Sequence, residues 1–347
     1  MLPWFQQSFP LYLAPMAGVT DSVFRQLCKE YGADVLVTEF VSAEGVFRRN
    51  ERTLEYLEFV EAERPLGIQL FGADPDHLGE AARKIVEWKN PDFIDLNFGC
   101  PVNKVVSKNG GSALLRDCSL LEKVARGVVQ SVAPFPVTAK MRIGWSRETV
   151  NATTTARILE DAGVRALAVH GRTKDQGYSG EADWEVIAQV AQAVKIPVIG
   201  NGDIGGVEDV RRHMGSGVRG MMIGRAAMSA PWIFGQIKEA LASGRTPEPP
   251  SLEEQWRHIV RHCRLVVAAR GGERHCMAAM RSRLMAYSRG MPAAKVLRGR
   301  FSHVASIAEL EGIAAESLAG SLEHSEDPGR EDGGAAGSNL AKNGNHV

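Results

Sequence analysis

Cys100 stands where a thiol can be held without being enclosed. It follows Phe93-Ile94-Asp95-Leu96-Asn97-Phe98, an apolar run with the length of a buried strand. The run breaks at Gly99, is pinned by Pro101, and continues through a loop bearing Lys104 and Lys108 to Gly110-Gly111. Ser112 is placed to cap a helix starting at Ala113-Leu114-Leu115. Two readings stand: a thiol presented for chemistry, or a small residue filling a turn, since free Cys is often simply buried. The positions of the other unusual residues decide between them.

Eight short apolar runs recur along the first two thirds of the chain: Leu11–Met16, Val35–Phe40, Leu66–Phe71, Phe93–Phe98, Val137–Ile143, Ala166–His170, Pro197–Gly200 and Gly220–Ile223. Helical patterns separate most of them, at Asp21–Tyr31, Pro75–Lys89, Leu120–Val132, Val150–Ala162, Trp184–Val194 and Val207–Gly215. Strands alternating with helices imply parallel pairing through right-handed crossovers. Eight units over about 240 residues predict a (β/α)₈ TIM barrel. A doubly wound open sheet is the alternative, weakened because no G-x-G-x-x-G follows the first run.

A barrel builds its site at the C-terminal ends of its strands. Those ends carry Pro15, Met16 and Ala17; Glu39; Gln69; Asn97 and Cys100; Lys140 and Arg142; His170 and Arg172; Asn201, Gly202 and Asp203; Gly224 and Arg225. Packing alone does not explain so many polar groups at one end, so the functional reading of Cys100 is favoured. The loops after the seventh and eighth strands are the usual phosphate cradle of such barrels. Gly200-Asn201-Gly202-Asp203 and Gly224-Arg225 let backbone approach a phosphate, and Arg225 adds a charged fork. Lys140 and His170 would face the ring system attached to it, where a lysine can stabilise charge on a reduced flavin.

Composition narrows the class. Hydrophobic residues make up 44% and charged residues 24% of 347, with 41 Lys+Arg against 41 Asp+Glu, so overall charge predicts no polyanionic partner. No apolar run approaches the roughly 18 residues that cross a bilayer. The opening MLPWFQQSFP lacks the basic n-region and long h-region of a signal peptide. Five widely spaced cysteines without a C-x-x-C pair argue against a disulfide framework and structural zinc, and for a cytoplasmic home.

Together these residues resemble the tRNA-dihydrouridine synthase family, in particular its bacterial B-type group. The resemblance runs from about Leu11 to Leu310. It is carried by APMAGVTD (14–21), IQLFG (68–72), DLNFGCPVNKV (95–105), GGSALL (110–115), KMRIGW (140–145), VHGRT (169–173), GNGDI (200–204) and MIGRAAMSAPWIF (222–234). It implies an FMN-bearing barrel that uses NADPH or NADH to reduce the C5–C6 bond of particular uridines in tRNA. By position, Pro15, Met16 and Ala17 would pack on the flavin. Gln69 and Lys140 would bond its polar ring edge, supported by His170. Asn201, Gly202, Asp203, Gly224 and Arg225 would hold its phosphate. Asn97 would lie near the base, and Cys100 would protonate C5 as hydride reaches C6. An unperturbed thiol is mostly protonated at neutral pH, as that role requires. Lys104 and Lys108, on a lid-like loop, and Arg142 and Arg172 are further candidates for contact with tRNA.

The organisation expected is a catalytic barrel over 1–243, a small all-helical basic domain over 251–317, and a disordered tail over 318–347. Gly244 to Pro250 is a linker by composition, and Ser251 opens a helix with two Glu in its first turn. Between Gln255 and His303 eleven Lys or Arg face one acid, Glu273, a local balance of +10. That predicts an RNA-binding face, with Arg281, Arg283, Arg298 and Arg300 among its phosphate contacts. Without an RRM or KH signature, recognition would rest on phosphates and shape. The rival enzyme reading is an FMN barrel acting on a free small molecule, like a dihydroorotate dehydrogenase or an enoate reductase. The basic segment argues against it. A silent RNA-binding barrel is disfavoured by Cys100. A metal-free monomer is expected.

Overall fold

Parallel strands form where a run is apolar on both faces, because helices cover one side and the barrel interior the other. The computed structural model describes residues 2–6 and 9–324. Its strands are β1 (Leu11–Leu13), β2 (Leu36–Val37), β3 (Val41–Ser42), β4 (Leu66–Phe71), β5 (Phe93–Phe98), β6 (Val137–Arg142), β7 (Leu167–His170), β8 (Val198–Asn201) and β9 (Gly220–Ile223). All eight runs carry a strand; the second holds β2, and β3 follows just beyond that run, both parallel to β4. The order β1-β9-β8-β7-β6-β5-β4-β2 is parallel throughout, and a Tyr12–Val35 bridge joins its two ends. The fold is a (β/α)₈ barrel followed by a helical region.

In chain order the helices are α1 (Ser22–Glu30), α2 (Ala43–Phe47), α3 (Glu51–Glu55), α4 (Pro75–Lys89), α5 (Asn103–Val106), α6 (Cys118–Val132), α7 (Ala152–Asp161), α8 (Trp184–Ala193), α9 (Val207–His213), α10 (Arg225–Ser229) and α11 (Ile233–Ser243). Then come α12 (Leu252–Arg270), α13 (Glu273–Tyr287), α14 (Ala294–Phe301) and α15 (Ile307–Leu318). Among the described residues no helix is long and apolar enough to cross a membrane.

The barrel floor is packed solid. Tyr12, Val35, Phe93, Ala166 and Ile199 fill it, and a short 3₁₀ turn at Pro3–Phe5 adds Leu2 and Phe5 from below. Gly67 is required there, because a Cβ would stand 2.1 Å from the Phe93 ring. A packed floor leaves only the C-terminal mouth open. The helical unit has its own core, including Trp256, Met277, Leu284, Leu297 and Phe301. Each such side chain stabilises by about 1.5–3 kcal/mol when fully buried. Ser251 and Glu254 cap each other's backbone N–H at the start of α12, a device whose loss costs about 1 kcal/mol.

Two expectations change. Ser112 caps nothing: its Oγ donates to the Cys100 carbonyl at 2.8 Å, residues Gly111–Arg116 form a 3₁₀ turn, and α6 begins at Cys118 with Asp117 as its cap. The chain must first turn back beneath Cys100, and Gly111 does so at φ +59°. The helical unit also continues past residue 318, since Ser321–His324 form a 3₁₀ turn and Leu322 is buried in its core. The rest of the expected tail, 325–347, lies outside the described residues.

Candidate active site

The mouth opens into a cleft of about 730 Å³. Pro15, Met16, Ala17, Gln69, Asn97, Cys100, Lys140, Arg142, His170, Asn201, Gly202, Asp203, Gly224 and Arg225 all line it. The parallel register explains this convergence: Asn97 is level with Lys140, Arg142 with His170, and His170 with Asn201.

A buried chain of hydrogen bonds sets the wall beneath Cys100. Asp95 accepts from Thr138 Oγ1 at 2.6 Å and from Gln69 Nε2 at 2.7 Å. Gln69 Oε1 accepts from Asn97 Nδ2 at 2.7 Å, and Asn97 Oδ1 accepts from the backbone N–H of Gly99 and of Cys100, at 3.1 and 2.9 Å. Gln69 and Asn97 therefore hold the protein itself before they hold any ligand. On the far side Arg142, 2% exposed, donates to the carbonyls of Gly99, Thr173 and Gly177. Cys100 is thus braced from two strands and is 7% exposed. Burial pushes its thiol pKa up, against the pull of the Val102 N–H and of Arg142 and Lys140, so it stays protonated at neutral pH.

Lys140 lines the cleft, half-buried and level with Asn97. Burial first, then repulsion from Arg142, lowers its pKa to about 8, while Asp95 and Cys100 pull the other way. His170 is held neutral by burial and by the cations Lys140, Arg142, Arg172 and Arg225 around it. Beside it Gly202 adopts φ +124°, and a Cβ there would come within 2.6 Å of Ala182. Gly202 lines the cleft with no side chain of its own. Asp203 sits at φ +51° with its carboxylate shared by Arg172, Arg225 and the Ala182 N–H.

Several residues expected to meet tRNA are placed elsewhere. Arg172 is 2% exposed, with its guanidinium on Asp203 and the carbonyls of Ser179 and Gly180. Lys104, on α5, and Lys108 are exposed, the latter at a separate shallow pocket with Glu44 and Arg48. Arg283, 6% exposed, donates to the Gly18 carbonyl and to Asp21, so it belongs to the joint between barrel and helical unit, not to a surface. Arg281 bonds the His303 and Val304 carbonyls, and Arg300 pairs with Glu316. Much of the local +10 is matched by acids outside the counted segment: Arg257 with Glu253, Arg261 with Glu30, Arg264 with Glu311, Arg270 with Asp21. Arg274, Arg289 and Arg298 are exposed, and among the described residues no carboxylate pairs with them.

Reasoning from sequence missed four contributors. Asp95 was legible as a carboxylate inside an apolar run. Glu39 was noted only as a strand end, yet it accepts the Gly18 N–H at 2.7 Å. Tyr178, 60% exposed on a glycine-flanked loop, lies 5.1 Å from the Arg225 guanidinium and 5.7 Å from that of Arg142. Arg289 reaches the cleft rim from the helical unit, which no sequence spacing indicates.

A closed parallel barrel with a braced thiol, a lysine and two glycine-bearing loops at one mouth defines a class, the (β/α)₈ barrels with chemistry at the C-terminal face. Residues 12–321 match the family described as Dihydrouridine synthase (Dus), and the chain belongs to that family. It is 44% identical over 241 residues to "tRNA-dihydrouridine synthase B" of Xanthomonas campestris pv. campestris, covering 69% of this chain and 72% of that one. It is 40% identical over 291 residues to "Probable tRNA-dihydrouridine synthase" of Rickettsia bellii, covering 83% and 88%. With "tRNA-dihydrouridine synthase B" of Pseudomonas aeruginosa the identity is 40% over 295 residues, covering 85% and 88%.

Proposed function

We propose that this protein reduces the C5–C6 bond of specific uridines in tRNA to give 5,6-dihydrouridine, as a cytoplasmic oxidoreductase with FMN in the cleft and NADPH or NADH as reductant. The observation that carries the reading is the braced thiol of Cys100 opening onto the same cleft as Lys140, His170 and the Asp203–Arg225 pair.

The residues present fit FMN. About 730 Å³ lies within the usual range of ligand clefts, roughly 300–1,000 Å³. Gly202 and Gly224 line the cleft without side chains where a phosphate would approach, and Arg225 is half exposed beside them. Asn201, Gly202, Gly224 and Arg225 would hold the phosphate, with Asp203 orienting Arg225. Pro15, Met16 and Ala17 would pack on the ring system; Lys140, with Gln69's remaining N–H, would meet its polar edge, and His170 would support it uncharged. FMN, when bound, supplies to C6 the hydride taken from the nicotinamide.

The chain's own work is positioning and proton delivery. Cys100 Sγ–H gives its proton to C5, and burial keeps that proton in place until a base arrives. Lys140 carries positive charge where negative charge gathers during reduction. Asn97 orients the Cys100 loop and has one N–H left for the base. The exposed Arg274, Arg289 and Arg298 would meet tRNA phosphate, joined by Lys104 and Lys108.

The test is to incubate the purified protein with FMN, NADPH and an unmodified tRNA transcript, then digest and quantify dihydrouridine. A flavin-loaded protein that leaves tRNA unchanged yet reduces a free pyrimidine or enoate would overturn the reading in favour of a small-molecule reductase.

A further inference from the structure

Gly18 lies in the loop between β1 and α1, and five neighbours in that loop, Ala14, Pro15, Met16, Ala17 and Val19, line the cleft. The loop is short and sharply turned: Val19 and Thr20 both donate to the Met16 carbonyl, and Gly18 takes φ +70°. Both polar groups of Gly18 are taken by side chains from other parts of the protein. Its N–H donates to Glu39 Oε2 at 2.7 Å, between β2 and β3. Its carbonyl accepts from Arg283 Nη2 at 3.3 Å, on α13 of the helical unit.

We propose that Arg283 and Glu39 are positioning residues that clamp Gly18 from opposite sides, so that the docked helical unit holds in place the loop on which the cofactor rests. The inference deepens the FMN reading above and rests on it for its consequence, though not for its geometry.

Arg283 is built into the joint. The same Nη2 reaches Asp21 Oδ2 at 3.2 Å, and its guanidinium carbon stands 5.0 Å from the Phe24 ring centroid. Asp21 ends the loop: its Oδ1 caps α1 through the Phe24 N–H at 2.9 Å, and its Oδ2 also takes Arg270 at 3.0 Å. One carboxylate therefore ties the end of the cleft loop to the first turn of α1 and to two helices of the helical unit. Among the described residues Arg283 Nη1 is buried without a partner, a costly arrangement. Among the described residues its contacts run through Nη2 and the Phe24 ring, so its bond to Gly18 is not one of many. Glu39 is itself buried, which raises its pKa, and Arg283 is among the charges that act on it. Phosphate does not reach a guanidinium in this position. The clamp gives Arg283 a role that a surface cation could not fill.

The experiment compares wild type with Arg283→Met, Arg283→Lys, Glu39→Ala and the Arg283→Met/Glu39→Ala double variant, each checked for folding by thermal unfolding. Hydrogen exchange at the amides of residues 16–21 and the FMN dissociation constant are read together. Arg283→Met is expected to speed exchange in that loop and to weaken FMN by about 10-fold, the scale of one charge-assisted hydrogen bond. Arg283→Lys should recover part of both, and the double variant should lose less than the sum of the singles. The slope of log tRNA affinity against log salt should not move. Unchanged exchange and unchanged FMN affinity in Arg283→Met overturn the clamp, and so does a shallower salt slope with an unmoved loop, which would make Arg283 a phosphate contact. If Arg283→Met does not fold, the same readings on Arg283→Lys and Glu39→Ala decide. If wild type takes up no FMN, the cofactor reading fails, and exchange alone decides the clamp.

Discussion

Asn97 Oδ1 accepts the backbone N–H of Cys100 at 2.9 Å, and Asn97 Nδ2 is in turn anchored on Gln69. The direction in which the thiol leaves the barrel wall is therefore decided two residues deep, by an amide held on a neighbouring strand. Asn97→Ala should free the Gly99–Cys100 turn and lower the rate of tRNA reduction by about 10-fold or more, with FMN still bound. Asp95→Ala leaves Thr138 and Gln69 without their shared acceptor and should destabilise the fold by about 1–3 kcal/mol. Single-turnover reduction and chemical denaturation check the two. An Asn97→Ala enzyme with an unaltered rate would show that the turn holds itself.

Cys100→Ala should cut tRNA reduction by about 10²–10⁴, the usual worth of a general acid. Flavin binding and flavin reduction by NADPH should survive, because the thiol takes no part in either. Stopped-flow absorbance separates the two half-reactions. Should Cys118→Ala, far from the cleft lining, abolish uridine reduction while Cys100→Ala does not, the proton donor has been misassigned.

Lys140 makes a prediction about pH. Its pKa in the fold, about 8, lies below its unfolded value, so between about pH 8 and 10.4 the unfolded chain binds more protons than the folded one. Stability should therefore rise with pH across that window, and the variant Lys140→Met should flatten the rise. Activity should move the opposite way, falling above about pH 8 as the ammonium is lost. The Cys100 thiol titrates above its ordinary value and does not account for a limb near 8. Lys140→Arg keeps its charge, so its slower reaction should show no such limb. An identical limb in Lys140→Arg would assign the titration to another group.

The helical unit's exposed cations should contribute unequally to tRNA binding. Replacing Arg274, Arg289 and Arg298 with Gln should reduce the slope of log affinity against log salt by about two units, at roughly 0.7–0.9 per phosphate contact. The same change at Arg261, Arg264 and Arg300, each paired with a glutamate, should alter it less. Equal slopes for all three proteins would show this face to be solvated surface.

How much of this was legible in the sequence follows from what each signal encodes. Barrel strands bury both faces, so runs such as Phe93–Phe98 announce themselves, and the parallel register then brings Asn97, Lys140, His170 and Asn201 to one mouth without further information. β3 was not legible, because Val41–Ser42 lies beyond the run Val35–Phe40 and directly before α2. Ser112 had the right residue type for a cap, but its hydroxyl is claimed by the Cys100 carbonyl across a tight turn. The charge of the helical unit misled for a different reason. Counting along the chain registers eleven cations and misses that Asp21, Glu30, Glu311 and Glu316 come to them from outside the segment. Arg283 is the sharpest case: only docking α13 against the loop after β1 reveals which side of the protein it faces.

The pairing of β1 with β9 has a consequence for synthesis. The strand made first can bridge Val35 early through Tyr12, but its ladder with β9 forms only after the other barrel strands have been translated, and α1 meets its covering helix α12 later still. Until then the nascent chain carries a twisted parallel sheet with two open edges, the geometry most exposed to mispairing. A chain stopped after α9 would keep that state permanently and should aggregate. One stopped after α11 has every strand it needs to close the ring, yet leaves Phe24 and Tyr31 without the histidines that cover them.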